Sequence, residues 1–86
     1  MKNKKIEEII AAAVNNPADV LFIDLCRVCS HYFGEPRQHG TSHRIYKTPW
    51  RGDPRVNIQK AGNKAKSYQV KQVLKAISRM EREHGQ

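Results

Sequence analysis

Apolar residues recurring at intervals of three and four predict three helices in this chain. The first spans residues 3–15 and ends at Asn15-Asn16-Pro17, because proline disfavours a helical residue before it. The second begins between Asp19 and Phe22 and ends near Phe33, with Gly34 as a natural stop. The third follows Ser67, a residue type that favours the N-cap position. The core stripe of the first helix consists of Ile6, Ile9, Ile10, Ala13 and Val14. That of the third helix consists of Val70, Val73, Leu74, Ile77 and Met80.

Between the second and third helices the pattern shortens to that of strands. Residues 36–39 predict a short edge strand, residues 43–48 a second strand and residues 55–59 a third. In the third strand Val56 and Ile58 should face the core, whereas alternation alone does not choose between Ile45 and Tyr46 in the second. The turn formers of residues 49–54 predict an antiparallel connection, and residues 61–63 predict a loop. The order ααβββα indicates an α+β two-layer sandwich with helices on one side of a three-stranded antiparallel sheet.

The size and charge of the chain point to a single basic domain. Its 86 residues suit one domain, residues 1–86, and its formal net charge of +8 favours an anionic partner. From residue 44 to residue 82 there are eleven Lys or Arg against two Asp or Glu, whereas the residues before 44 carry five of each. The anion-binding half is therefore the C-terminal half. There, one face of the third helix carries Lys71, Lys75, Arg79 and Arg82.

Neither export nor membrane insertion is expected from the sequence. No apolar run approaches the roughly 20 residues of a membrane-spanning helix. The start MKNKKIEEII places two acids where a signal peptide needs an apolar core. We therefore expect a cytoplasmic protein with no membrane partner.

Two cysteines lie in the predicted second helix. Cys26 and Cys29 share a helix face but are poorly placed for an unstrained disulfide, so reduced thiols are the simplest account. With His31 they also suggest a zinc site, but structural sites usually need a fourth ligand from a separated pair. Packing of both thiols in the core is the favoured interpretation.

The candidate chemistry is concentrated in the run GTSHRIYK at residues 40–47. A turn of small residues lets backbone N–H groups approach a phosphate; these residues are Gly40, Thr41 and Ser42. His43 follows, where a group that titrates near neutral pH can move a proton. Arg44 and Lys47 add positive charge beside it. This pattern predicts a ribonuclease site.

At this run the chain resembles the HicA family of bacterial toxins. The resemblance continues through FGEPRQHGTSH, PWRGDPRVNIQ and AKSYQVKQVLKAI. It implies a double-stranded-RNA-binding-like fold over residues 20–83, preceded by an extra N-terminal helix at residues 3–15. It also implies a type II toxin–antitoxin toxin that cleaves mRNA without metal or other cofactor and is neutralised by a HicB-type antitoxin. His43 then corresponds to the catalytic histidine, with Gly40 and Ser42 in its turn.

The expected RNA contacts extend from the turn to the third helix. They are Gly40, Thr41, Ser42, Arg44, Lys47, Lys71, Lys75 and Arg79. The alternative function is a non-catalytic RNA-binding module, in which His43 is structural or contacts the RNA backbone. The sequence also leaves two points undecided. His39 is a second proton-transfer partner, a phosphate contact or a solvated loop residue. Tyr46 and Trp50 either stack on bases or pack against the sheet.

Overall fold

Helices and strands follow the predicted order in the computed structural model, which describes residues 4–36, 38–39, 43–50 and 55–84. The helices are α1 (Lys4–Asn15), α2 (Phe22–Phe33) and α3 (Ser67–His84). The strands are β1 (Gln38–His39), β2 (His43–Lys47), β3 (Arg55–Ala61) and β4 (Lys64–Ala65). The small α+β architecture and its order ααβββα are confirmed, with β4 as an addition before α3.

The sheet is antiparallel throughout, in the order β1-β2-β3-β4. Its longest ladder joins β2 to β3, with His43 opposite Gln59 and Lys47 opposite Arg55. The loop predicted at residues 61–63 is instead a tight turn that leads into β4. Gly62 has φ +68° in this turn, a conformation that favours glycine because it has no Cβ.

The core lies between one face of the sheet and the helices. Tyr46, Val56 and Ile58 are buried on the sheet side, as predicted for the two β3 residues. Tyr46 rather than Ile45 is the core residue of β2, so Tyr46 does not stack on bases. From the helices, the core receives the buried side chains Ile6, Ile9, Ala13, Phe22, Leu25, Val28, Val70, Val73 and Ile77.

The helix ends and stripes agree with the prediction at Gly34 and differ from it at Ser67 and Val14. Gly34 ends α2 with φ +84°, and its N–H donates to the carbonyl of Ser30. Ser67 is the first residue of α3 rather than its N-cap, since the carbonyl of Lys66 accepts bonds from the first turn. Val14, expected in the α1 stripe, is 64% exposed although its neighbour Ala13 is fully buried, so the packed face of α1 is narrower than predicted.

Both cysteines are free and buried, as expected for core residues. Burial raises the pKa of the Cys29 thiol and, in part opposed by Arg44, that of Cys26. No group of three or more His, Cys, Asp or Glu side chains that could hold a metal ion occurs in the part of the chain that the structure describes. Within the described ranges, no helix has the length and apolarity needed to span a membrane.

Burial of Tyr46 predicts a loss of stability in alkali. Its side chain is 0% exposed, its hydroxyl donates to the carbonyl of Cys26, and burial raises its pKa from 10.0 to about 12. The folded state therefore holds the Tyr46 hydroxyl proton more tightly than the unfolded state does. The contribution of this proton to the free energy of unfolding is complete below pH 10 and is lost as pH rises toward 12. The total effect is about 3 kcal/mol.

Urea titrations at about pH 9 and pH 11.5 measure this effect. The free energy of unfolding should fall less between these two pH values in Tyr46→Phe than in the wild-type protein. An equal fall in both proteins would show that another group causes the alkaline loss.

Candidate active site on the open face of the sheet

His43 begins β2 and lies on the sheet face that the helices leave uncovered. Side chains alternate along a strand, so the buried Tyr46 places His43 on the opposite face. The His43 side chain is half-buried, and Asn57 beside it is exposed, as are Lys47 and Arg55 further along the same face. The imidazole is thus accessible from solvent rather than sealed in the apolar core.

The His43 ring is held by one hydrogen bond to the neighbouring strand. Its Nε2 lies 2.6 Å from Oδ1 of Asn57. A carbonyl oxygen only accepts, so Nε2 carries the proton and donates it. The neutral ring then has its lone pair on Nδ1. Nδ1 is therefore the ring nitrogen whose lone pair can accept a proton.

The β2–β3 register explains how Asn57 reaches the ring. Asn57 lies opposite Ile45, which makes it the diagonal neighbour of His43 across the ladder. Sequence reasoning missed Asn57 as a site residue. The alternation of Val56 and Ile58 indicated that Asn57 faces away from the core, but only the register shows which β2 residue it meets.

Two cations stand at the far end of the same face. Lys47 and Arg55 lie directly opposite each other, and both are exposed. Lys47 lies four residues along β2 from His43, which corresponds to about 13 Å. A chain of phosphates lying along the two strands can meet the cations at one end and the imidazole at the other.

Arg44 is next to His43 in sequence but belongs to the opposite face. Its guanidinium carbon lies 5.9 Å from the centre of the Phe22 ring. Its Nε is buried without a hydrogen-bond partner in the described structure. With Leu21, Phe22 and Lys60, Arg44 lines a cavity of about 350 Å³ at the start of α2. The structure therefore separates Arg44 from His43.

The predicted cations of α3 are exposed, but they lie in the helical layer. Lys71, Lys75 and Arg79 follow one face of the helix. The guanidinium of Arg79 stacks over the half-buried Trp50 ring at 4.2 Å from its centre. Lys75 and Arg79 line a groove of about 390 Å³ together with Arg55, which connects this surface to the open face.

The turn expected to bind phosphate, Gly40, Thr41 and Ser42, lies outside the described residues. Of His39 the structure gives the backbone position, opposite Arg44 in the β1–β2 pair. The site that the structure describes thus consists of His43 and Asn57, with Lys47 and Arg55 further along the same face.

Comparison with known proteins identifies no relative of this chain. No protein-family model matches it, and neither the curated proteins nor the solved structures gave a match. The geometry of the site is therefore the basis on which its function is proposed.

Proposed function

We propose that this protein is a metal-independent endoribonuclease of the HicA type, the toxin of a type II toxin–antitoxin pair that a HicB-type antitoxin neutralises. The double-stranded-RNA-binding-like arrangement of its helices and sheet is part of this proposal. The observation that carries it is the His43–Asn57 contact of 2.6 Å on an exposed sheet face. It leaves one ring nitrogen, Nδ1, available on a surface that also carries Lys47 and Arg55.

In the proposed reaction His43 is the general base. Nδ1 takes the proton of a ribose 2′-OH, and the 2′-oxygen attacks the adjacent phosphorus. The bond between phosphorus and the 5′-oxygen breaks, the 5′-oxygen takes a proton from water, and His43 returns its proton to solvent. The products are a 2′,3′-cyclic phosphate and a 5′-hydroxyl. Because the nucleophile is the 2′-OH, DNA of the same sequence is not a substrate.

Positive charge on the open face supports RNA binding. Lys47 and Arg55 lie about 13 Å from His43 along the strands, so they bind neighbouring phosphates rather than the scissile one. RNA affinity should therefore fall steeply as salt concentration rises.

Asn57 is the positioning residue in this proposal, and its variants should change the pH dependence of cleavage. Asn57→Ala removes the acceptor of the His43 Nε2 proton, and loss of one such hydrogen bond corresponds to about a tenfold lower rate. Asn57→Asp keeps an acceptor oxygen but adds a negative charge that favours the protonated ring. The acidic limb of its pH–rate profile should therefore move to higher pH.

A matched control for these variants is Asn63→Ala, which removes an exposed asparagine from the β3–β4 turn. Its cleavage rate and pH profile should equal those of the wild type. If Asn57→Asp and the wild-type protein have the same pH profile, Asn57 does not position the catalytic ring.

Expression in a bacterial host tests the toxin proposal and separates it from a non-catalytic RNA-binding module. Induction of the wild-type chain should arrest growth, whereas His43→Ala, expressed to the same level, should allow it. Normal growth with the wild-type chain contradicts the toxin proposal. Equal arrest by both proteins favours the binding module, because arrest would then not require the imidazole.

A further inference from the structure

Every second residue of β3 points its backbone N–H and carbonyl away from β2. The N–H of Gln59 donates to Oε1 of Gln69 at 2.6 Å, and its carbonyl accepts from the N–H of Lys66 at 3.3 Å. Neither partner is in β2. In an antiparallel ladder, residues two apart point their N–H and carbonyl groups to the same side. The backbone of Asn57 therefore also points away from β2, and we call this outer side of β3, at Asn57, the β3 edge.

The neighbouring strand does not reach this edge. β4 pairs only with Lys60 and Ala61, and the chain then passes through Lys66 into α3. Among the described residues, no strand lies beside Asn57 on that side. A strand edge of this kind is a template for another extended chain, which pairs with it through the backbone.

A cationic groove runs beside the β3 edge. Its floor includes Val56 and the small side chain of Ala76, and its rim carries Arg55, Lys75, Arg79 and Arg82. The groove has a volume of about 390 Å³, and none of the described residues that line it is Asp or Glu. The stacking of Arg79 on Trp50 fixes the position of one of these charges.

We propose that the β3 edge binds an acidic, extended segment of a partner protein, which adds to the sheet as a further strand. Acidic side chains of the segment would pair with Lys75 and Arg82, and small apolar side chains would cover Val56 and Ala76. The N–H and the carbonyl of Asn57 can exchange one pair of backbone hydrogen bonds with a residue of the extended segment. The inference does not depend on ribonuclease activity, because the edge and groove exist whatever His43 does.

Charge and backbone chemistry favour this occupant over two others. A second copy of this chain would bring two sets of four cations together, and like charges in contact disfavour binding. RNA would satisfy the cations but would leave the peptide donor and acceptor of Asn57 unused. An acidic peptide strand satisfies both features of the surface.

NMR of the ¹⁵N-labelled protein tests the proposal with two synthetic peptides. The probe is an acetylated and amidated eight-residue peptide, Glu-Thr-Val-Thr-Glu-Thr-Val-Thr, whose Glu and Val side chains lie on one face of an extended strand. The control peptide has the same sequence with alternate backbone nitrogens methylated, so it keeps the charge but loses donors. The probe should shift the groove resonances and slow hydrogen exchange of the Asn57 amide, whereas the methylated peptide should do neither.

Charge-reversal variants complete the test. Lys75→Glu combined with Arg82→Glu should weaken probe binding at least about tenfold. Lys71→Glu is the matched control, since Lys71 lies one turn earlier on α3 and outside the groove, and it should bind the probe like the wild type. Circular dichroism confirms that each variant is folded.

Four results would overturn the proposal: no shift at millimolar probe, equal binding of both peptides, absence of protection at Asn57, or equal affinity in the double variant. A further NMR titration adds single-stranded RNA to the His43→Ala protein, in which the oligonucleotide should stay intact. If single-stranded RNA shifts the groove resonances and the probe does not, the groove is an RNA surface instead.

Discussion

Replacing His43 with alanine should slow RNA cleavage by about 10²–10⁴-fold, the usual contribution of one general acid–base group. The fold and the RNA affinity should be unchanged, because the ring is half-buried on the open face and Lys47 and Arg55 remain in place. Single-turnover cleavage of an end-labelled RNA measures the rate. Thermal unfolding and fluorescence anisotropy measure the fold and the affinity of the same samples.

His31→Ala is the matched control for that experiment. His31 is an exposed histidine on α2, with its ring edge against Tyr32, and it takes no part in the site. Its variant should cleave RNA at the wild-type rate. Equal losses in both variants, or a wild-type rate in His43→Ala, would contradict the role given to His43.

Replacing Ile58 with alanine should lower the free energy of unfolding by about 2–5 kcal/mol. Ile58 is 0% exposed and lies in β3 under the helical layer, so the substitution removes buried methyl groups and leaves a cavity. Small domains are stable by only about 5–15 kcal/mol, which makes this a large fraction of the total. Urea denaturation, followed by circular dichroism, measures the loss.

The same substitution at an exposed isoleucine is the control. Ile23, in the first turn of α2, is 55% exposed, and Ile23→Ala should change the free energy of unfolding by less than about 1 kcal/mol. If the two variants lose similar stability, the core does not lie between β3 and the helices as described.

The parts of the fold that could be predicted are those with local periodicity. The stripes of α1 and α3 repeat every three to four residues, and Val56 and Ile58 alternate with polar neighbours. Such patterns follow from the side-chain directions of helices and strands alone. For this reason the three helices, the second and third predicted strands and the inward face of β3 were predictable.

The parts that could not be predicted depend on pairing across the sheet. β4 has only two residues, too few for a pattern, and it forms because Gly62 turns the chain back onto β3. The choice of Tyr46 as the core residue and the contact of Asn57 with His43 both follow from tertiary packing and register. Alternation along the predicted strand puts Arg44 and Lys47 on opposite faces, but only the burial of Tyr46 shows that Lys47 shares the open face with His43.

The division of positive charge between two surfaces has a functional consequence. Lys47 lies on the open face with His43, whereas Lys75 and Arg82 line the groove beside the β3 edge. On the two proposals, substitutions at Lys47 should therefore weaken RNA binding. Substitutions at Lys75 and Arg82 should weaken binding of the proposed acidic partner segment. Arg55 lies on the open face and also lines the groove, so substitutions at Arg55 should weaken both RNA binding and binding of the partner segment.

Cleavage of RNA by the purified protein in the presence of EDTA is the most direct test of the proposed activity. The wild-type protein should convert the RNA to fragments that end in 2′,3′-cyclic phosphate and 5′-hydroxyl groups, and the matching DNA should stay intact. RNA that remains whole under these conditions, or is cut only when a metal ion is added, would contradict a histidine-dependent, metal-independent ribonuclease.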